Sequence, residues 1–212
     1  MLTRLLEHLY DWLSPSDATG QADLIFALAG RQSRKLYALE LFQHRAASTL
    51  LLSVARFEIR KFAQLPWPAD IDLLQVASGT PPALRHYFVS FEVGTTRVEL
   101  IRPGYFGTLS EIRTLAEWLK KRPQIGKLLV ISSAPHLRRV RVCCHALLPA
   151  RVKIHFIATP NDSPLARDNW WHDRRSRTVV LKEIPKFFAY RLLLWGPRLR
   201  TFTGTGTTSP PR

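Results

Sequence analysis

Cysteine is scarce in this sequence: the 212 residues include two, and these are the neighbours Cys143 and Cys144. Adjacent cysteines rarely satisfy the geometry of a structural disulfide, and two thiolates do not complete a four-ligand metal site. We therefore expect neither a disulfide framework nor a cysteine-based metal centre, and we expect a reducing compartment.

Long apolar runs are absent too. No segment reaches the roughly 18 consecutive apolar residues that indicate a membrane-spanning helix. The N-terminal segment has leucines at helical spacing, but Arg4, Glu7, His8 and Asp11 interrupt it. It therefore predicts an amphipathic helix over residues 2–13, neither a signal peptide nor a membrane span. We expect a cytoplasmic protein, with peripheral contact between this helix and the inner membrane as an open alternative.

Acidic residues are few. The chain has 16 Asp and Glu against 31 Lys and Arg, which gives a formal net charge of +15. Such a surface attracts anions, which include nucleic acid, acidic lipid and phosphorylated metabolites, and the net charge alone does not choose among them. No nucleic-acid-binding motif accompanies the charge. With 46% hydrophobic residues, the chain is long enough for one globular domain with a sizeable core.

The most informative segment is residues 127–144, KLLVISSAPHLRRVRVCC. The apolar run 128–131 predicts a strand buried on both faces, and small residues then break it. Apolar residues next recur at helical spacing. Ligands of open α/β sheets bind beyond the carboxyl ends of the strands, near helix N-termini. The turn therefore predicts a ligand site that contains His136, Arg138 and Arg139.

The rest of the chain alternates strands with helices. Strands are predicted at residues 24–29, 49–54 and 152–157, and helices at 33–43, 55–66 and 183–195. Strand, helix, strand order predicts a right-handed parallel crossover. Two β-rich runs, 87–93 and 97–101, predict a hairpin, with the alternative that only the second run joins the main sheet. The polar, tryptophan-rich segment 160–176 predicts a packed, basic loop.

Residues 108–111 read TLSE, which is the pattern of a capping box. In that motif the Thr108 hydroxyl accepts from the amide of residue 111, and the Glu111 carboxylate reaches back to the helix start. The pattern predicts that a helix begins at Thr108 and ends before Pro123.

Together these elements predict a single three-layer α/β domain of Rossmann-like type, with a mainly parallel sheet of about five strands. The domain is expected to cover residues 23–197, after an N-terminal helix and linker at residues 1–22. Residues 198–212 are poor in apolar side chains and are expected to form a disordered tail.

Several segments match motifs of one bacterial family. The matching segments are the strand after Asp23, the helix SRKLYALELFQ (33–43), the helix start GTLSE (107–111), Ser132, Ser133, His136 and Arg139 as Thr/Ser-Ser-x-x-His-x-x-Arg, and Glu183 with Lys186 in an aromatic helix. The chain resembles the ElyC/SanA/YdcF family, a largely uncharacterised Rossmann-like group, over nearly its whole length.

The resemblance and the strand-end positions together define a candidate site. Its proposed members are catalytic His136 and ligand-binding Gly30, Arg31, Arg34, Thr108, Ser133 and Arg139. An unperturbed histidine has a pKa of about 6.5, so it can act as an acid or base or donate to an anion. Arginine can clamp a phosphate or carboxylate. The alternatives are structural: helix capping for His136, Thr108 and Ser133, and a solvated charge for the arginines.

The resemblance implies a small anionic or nucleotide-like ligand and a link to bacterial cell-envelope metabolism, with S-adenosylmethionine as a candidate on that ground alone. No metal is expected. The family's paired glycines after the first two strands are replaced here, and only Gly30 is kept. A non-catalytic interaction module therefore stays open, as does a basic protein that binds nucleic acid or a membrane surface. The oligomeric state is left open.

Overall fold

The computed structural model describes residues 2–65, 72–92, 94–102, 107–160 and 165–202, with the helical backbone alone for residues 196–202. Its centre is a six-stranded sheet in the order β4-β3-β2-β1-β5-β6. The strands are β1 (Ala22–Ala27), β2 (Ala47–Ala55), β3 (His86–Glu92), β4 (Thr95–Leu100), β5 (Lys127–Ser132) and β6 (Lys153–Ala158). The pairs β2·β1, β1·β5 and β5·β6 are parallel, and the other two are antiparallel.

Helices cover both faces of this sheet. They are α1 (Leu2–Leu13), α2 (Gln32–Gln43), α3 (Ile59–Phe62), α4 (Leu73–Ser78), α5 (Gly107–Lys120), α6 (Leu137–Leu147) and α7 (Arg174–Phe202). One core cluster joins α2, α3 and α4 to one face of the sheet, and a second joins α5, α6 and Tyr190 of α7 to the other. Alternate residues of β1, β2, β3, β5 and β6 enter opposite clusters, as the pleat of a β-strand requires. The expected three-layer α/β fold is therefore confirmed, with six strands rather than five.

The predicted hairpin is confirmed as β3 and β4. Strand β3 pairs with β2 and β4 pairs only with β3 among the described strands. The alternative, in which only the second run joins the sheet, is therefore wrong. The helix predicted at residues 55–66 is also wrong in extent, since within the described part of that segment it covers Ile59–Phe62. The Glu58 carboxylate accepts from the Ala55 amide at 3.0 Å and so holds residues 55–58 as a turn.

Helix α7 is longer than the sequence predicts. It begins at Arg174 because the Asp173 carboxylate accepts from the Ser176 amide at 2.7 Å and from the Ser176 hydroxyl at 2.8 Å, as an N-cap does. The basic run 174–177, expected in a loop, is therefore helical. The helix continues to Phe202, so the domain boundary expected at residue 197 lies inside it. Residues 203–212 of the expected tail lie outside the described residues.

A third cluster packs α1 against the start of α7. Tyr10, Leu13, Leu165, Trp170 and Val180 are buried together there. Residues 165–173, the described part of the segment before α7, thus form a packed loop, as expected, with Trp170 buried in it. None of the described helices is both long enough and apolar enough to cross a bilayer.

Candidate functional site

The candidate site lies where the chain leaves the carboxyl ends of β1, β2 and β5. From β1 the chain enters α2 on one face of the sheet, whereas from β5 it enters α6 on the other face. The two connections diverge between these neighbouring strands, and such a switch point leaves a crevice in an open α/β sheet. A cleft of about 650 Å³ lies at this edge. That volume is in the range of small-molecule sites.

Gly30 and Arg34 shape the β1 side of the cleft. Gly30 has a φ of +129°, and a Cβ atom there would lie 2.9 Å from Nη1 of Arg34. The Arg34 guanidinium donates to the Ala29 carbonyl at 2.5 Å and to the Ser133 hydroxyl at 3.1 Å. Glycine is needed because the backbone conformation and the guanidinium together leave no room for a side chain. Arg34 is 5% exposed and joins the β1 turn to the β5 turn.

Arg139 holds the His136 ring on the other side of the cleft and forms a buried ion pair with Glu183. Arg139 donates from Nη2 to His136 Nδ1 at 2.7 Å, from Nη1 to the Thr108 hydroxyl at 2.6 Å and from Nε to Glu183 Oε2 at 2.8 Å. Because arginine has no acceptor, Nδ1 of His136 must be unprotonated, and the ring proton lies on Nε2. Glu183 Oε2 is 3.4 Å from the same Nδ1, so the shorter arginine contact decides the tautomer.

The surroundings of His136 keep its imidazole neutral. Burial holds the pKa of His136 well below its ordinary value of 6.5, and the positive charges of Arg34, Arg139, Lys186 and Arg31 lower it further. The side chain nevertheless keeps 23% of its surface exposed and lines the cleft. His136 is therefore a neutral imidazole that can donate a hydrogen bond through its Nε2–H group.

Two buried carboxylates support the residues that line the cleft. Glu58 binds the ammonium of Lys35, and both residues are buried. Burial lowers the pKa of Lys35, while the Glu58 charge opposes that shift. The second carboxylate, Glu111, accepts from the Ala29 amide at 2.8 Å and lies 3.7 Å from His86 Nε2.

Glu111 stays ionised although it is buried. Burial by itself raises the pKa of this carboxyl group, but the neighbouring His86 and Ser53 side chains and the hydrogen bond from the Ala29 amide outweigh it, and the pKa lies below its usual value. The His86 ring is in turn 2.8 Å from the Ser53 hydroxyl. A carboxylate from α5 is thus fixed under the turn that carries Gly30.

These contacts correct the expected capping box. Helix α5 begins at Gly107, one residue earlier than expected, and the Thr108 hydroxyl accepts from Arg139. Glu111 points into the sheet edge and binds the Ala29 amide. The helix start was predicted for the wrong reason, because both side chains make tertiary contacts instead of local ones.

The structure brings most of the predicted residues together. Gly30, Arg31, Arg34, Ser133 and His136 line the cleft. Thr108 and Arg139 lie behind His136 and orient it through their hydrogen bonds. Arg138, expected at the same turn, donates to the Trp12 carbonyl and lines a different groove.

Sequence reasoning missed several members of the site. Lys61 and Phe57 line the cleft beside Glu58, and Lys35 lies beneath it. The turn that contains Phe57 and Glu58 follows a buried strand and matches no known motif. No local sequence signal therefore identifies these residues as part of the site. Glu183 stands in the Glu-x-x-Lys pair of the resemblance, but no sequence pattern indicates its partner Arg139.

The described residues offer no metal centre. No group of three or more His, Cys, Asp or Glu side chains among them could hold a metal ion. Cys143 and Cys144 are free and buried in α6. Burial raises the pKa of the Cys143 thiol to about 12, so this cysteine is not a nucleophile at neutral pH.

The fold and the site thus define a single Rossmann-like α/β domain with a polar cleft at its switch point. Comparison of the chain with protein-family models, with curated proteins and with solved structures finds no match. The resemblance to the ElyC/SanA/YdcF family stays a prediction.

Proposed function

We propose that this protein binds a small anionic ligand, of the phosphate or nucleotide class, in the cleft between the β1 and β5 turns. The observation that carries the proposal is the charge around His136. The cleft is lined by Arg31, Arg34 and Lys61, and Glu58, its one acidic lining residue within the described ranges, already binds buried Lys35. A positive field with a hydrogen-bond donor at its centre favours an anion.

The role of His136 in this proposal is to donate the Nε2 hydrogen to an anionic oxygen. A neutral imidazole held by Arg139 needs no protonation to do so, and the network from Thr108 and Glu183 fixes its direction. Hydrogen bonds to charged groups are stronger than those between neutral groups. In its more specific form, the proposal takes up what the resemblance implies. The ligand is then nucleotide-like, and the protein has a role in bacterial cell-envelope metabolism.

Calorimetric titration with AMP and with adenosine tests the proposal, because the two probes differ only in the phosphate. We expect AMP to bind and adenosine to bind much more weakly. His136→Ala should weaken AMP about ten- to a hundredfold, the equivalent of one charge-assisted hydrogen bond. His172→Ala, at an exposed histidine outside the cleft, is the matched control and should leave the affinity unchanged.

Other outcomes decide between the remaining functions. S-adenosylmethionine and a sugar phosphate belong in the same titration series as further probes. If no probe binds, the proposal fails and a non-catalytic interaction module is favoured. If duplex DNA binds with a steep salt dependence that His136→Ala leaves intact, the basic charge serves nucleic acid instead.

A further inference from the structure

Helix α7 exposes large apolar side chains along one side. Leu181, Phe188, Leu192 and Trp195 are 48%, 59%, 72% and 64% exposed. They are seven, four and three residues apart, so they follow one another along a single stripe of the helix. The opposite side of α7 carries Glu183, Phe187 and Tyr190, which are buried in the domain. We call the four exposed residues the α7 strip.

The charges on α7 point to the occupant of this strip. The basic residues of α7 whose side chains are described are Arg174, Arg175, Arg177, Lys182, Lys186 and Arg191. Over the same residues, 174–195, the one acidic residue is Glu183, which is 1% exposed and binds Arg139. The solvent side of the helix therefore carries cations without exposed carboxylates in that range. A second copy of the chain would bring like charges together, whereas an acidic lipid surface complements them.

A groove of about 530 Å³ opens beside the strip, between α6 and α7. Arg138, Arg141 and Arg191 line it, and Phe187 and Trp195 form part of its apolar wall. Trp195 belongs to both the groove and the strip. Arginine presents a planar set of donors that suits phosphate oxygens, and tryptophan favours the boundary between water and lipid.

We propose that α7 docks this protein on the surface of an anionic phospholipid bilayer. The α7 strip enters the interface, and the groove arginines contact the headgroup phosphates. Nucleic acid offers phosphates but no apolar layer to cover four large exposed side chains, so the combination of strip and arginines favours lipid. The docking is independent of the ligand in the cleft, which lies at the edge of the sheet.

Co-sedimentation of the full chain with vesicles tests this proposal. We expect binding to phosphatidylglycerol vesicles, little binding to phosphatidylcholine vesicles, and a decrease with added salt. Leu192→Glu should weaken binding at least about tenfold, since it removes an inserted side chain and adds a repelled charge. Arg191→Glu should also weaken it and should reduce the salt dependence.

Matched controls separate this surface from general charge effects. Leu74 on α4 is 48% exposed on the other face of the domain, so Leu74→Glu should bind vesicles like the wild type. Arg97→Glu on strand β4 is the control for Arg191→Glu. Unchanged thermal unfolding of Leu192→Glu confirms that the variant folds, and AMP binding should be retained.

Three results would overturn the proposal. Equal binding to both vesicle types would remove the role of the arginines. Unchanged binding of Leu192→Glu would remove the role of the strip. A wild-type dimer that Leu192→Glu converts to a monomer, without vesicle binding, would assign the strip to a second copy of this chain.

Discussion

Single residues at the cleft are tied to the backbone around them, and Gly30 is the clearest case. Its φ of +129° is a conformation that side chains rarely adopt, and the space where its Cβ would lie is occupied by the Arg34 guanidinium. Arg34 cannot move away freely, because it holds the Ala29 carbonyl and the Ser133 hydroxyl. Gly30 therefore allows the backbone conformation that shapes the cleft, and it also keeps the cleft open.

Gly30→Ala should lower the free energy of unfolding by about 1–3 kcal/mol, because the new methyl group adds both backbone strain and a clash. Urea unfolding measures the change. Gly79→Ala is the control: nothing lies within 4 Å of the point that its Cβ would occupy, and the change should stay within about 0.5 kcal/mol. Equal losses in the two variants would contradict this role of Gly30.

Some residues of the site could be predicted from the sequence, and others could not. His136 and Ser133 follow a strand that the sequence marks clearly, so their place at the sheet edge could be predicted. Glu58 and Glu111 could not, because their partners are distant in sequence: Lys35 is 23 residues from Glu58, and Ala29 is 82 residues from Glu111. A buried ion pair has no local signature when each partner sits in an ordinary polar position.

At the scale of elements, the sequence predicts the strands better than it predicts the ends of the helices. The strands were predicted well because their apolar runs are continuous and buried on both faces. Helix ends were predicted poorly, since side chains decide them: Asp173 starts α7 well before the expected start at residue 183, and Glu58 replaces the expected start of α3 by a turn. The periodicity of apolar residues and the composition indicate that a helix or strand exists, whereas its ends depend on individual hydrogen bonds.

The Lys35–Glu58 pair joins helix α2 to the end of strand β2. Glu58→Gln should lower the free energy of unfolding by about 3–5 kcal/mol, because it leaves the Lys35 ammonium buried without a counter-charge. Urea unfolding again measures it. Glu117→Gln removes a pair with Lys120 whose side chains are 67% and 63% exposed, and it should cost no more than about 1 kcal/mol.

The free energy of unfolding of Glu58→Gln should depend on pH in a defined direction. Burial already lowers the pKa of Lys35 from 10.5, and loss of the carboxylate removes the interaction that opposes this shift. The unfolded chain then binds a proton that the folded chain does not, so stability rises with pH up to the unfolded pKa. The deficit of Glu58→Gln should shrink as the pH rises. A deficit no larger than that of Glu117→Gln would contradict the structural role of the pair.

At the scale of the whole molecule, the chain has a net charge of +15, and two places where its basic side chains gather differ in chemistry. The cleft at the switch point combines Arg31, Arg34 and Lys61 with a neutral histidine, and it suits a small anion. The α6–α7 side combines arginines with exposed leucine and aromatic residues, and it suits a lipid surface. The net charge predicted anionic partners in general, but the arrangement of neighbouring side chains is needed to tell the two apart.

The protonation of His136 during a titration with AMP tests the central claim most directly. Long-range ¹H–¹⁵N correlation spectra of histidine-labelled protein distinguish the two neutral tautomers from the imidazolium. We predict a neutral His136 ring protonated on Nε2 at neutral pH, still neutral as the pH falls below 6.5 because its pKa is lowered. AMP should shift the Nε2 resonance and leave His172 unchanged. A ring protonated on Nδ1, an imidazolium at neutral pH, or AMP binding that leaves His136 unshifted would contradict the claim.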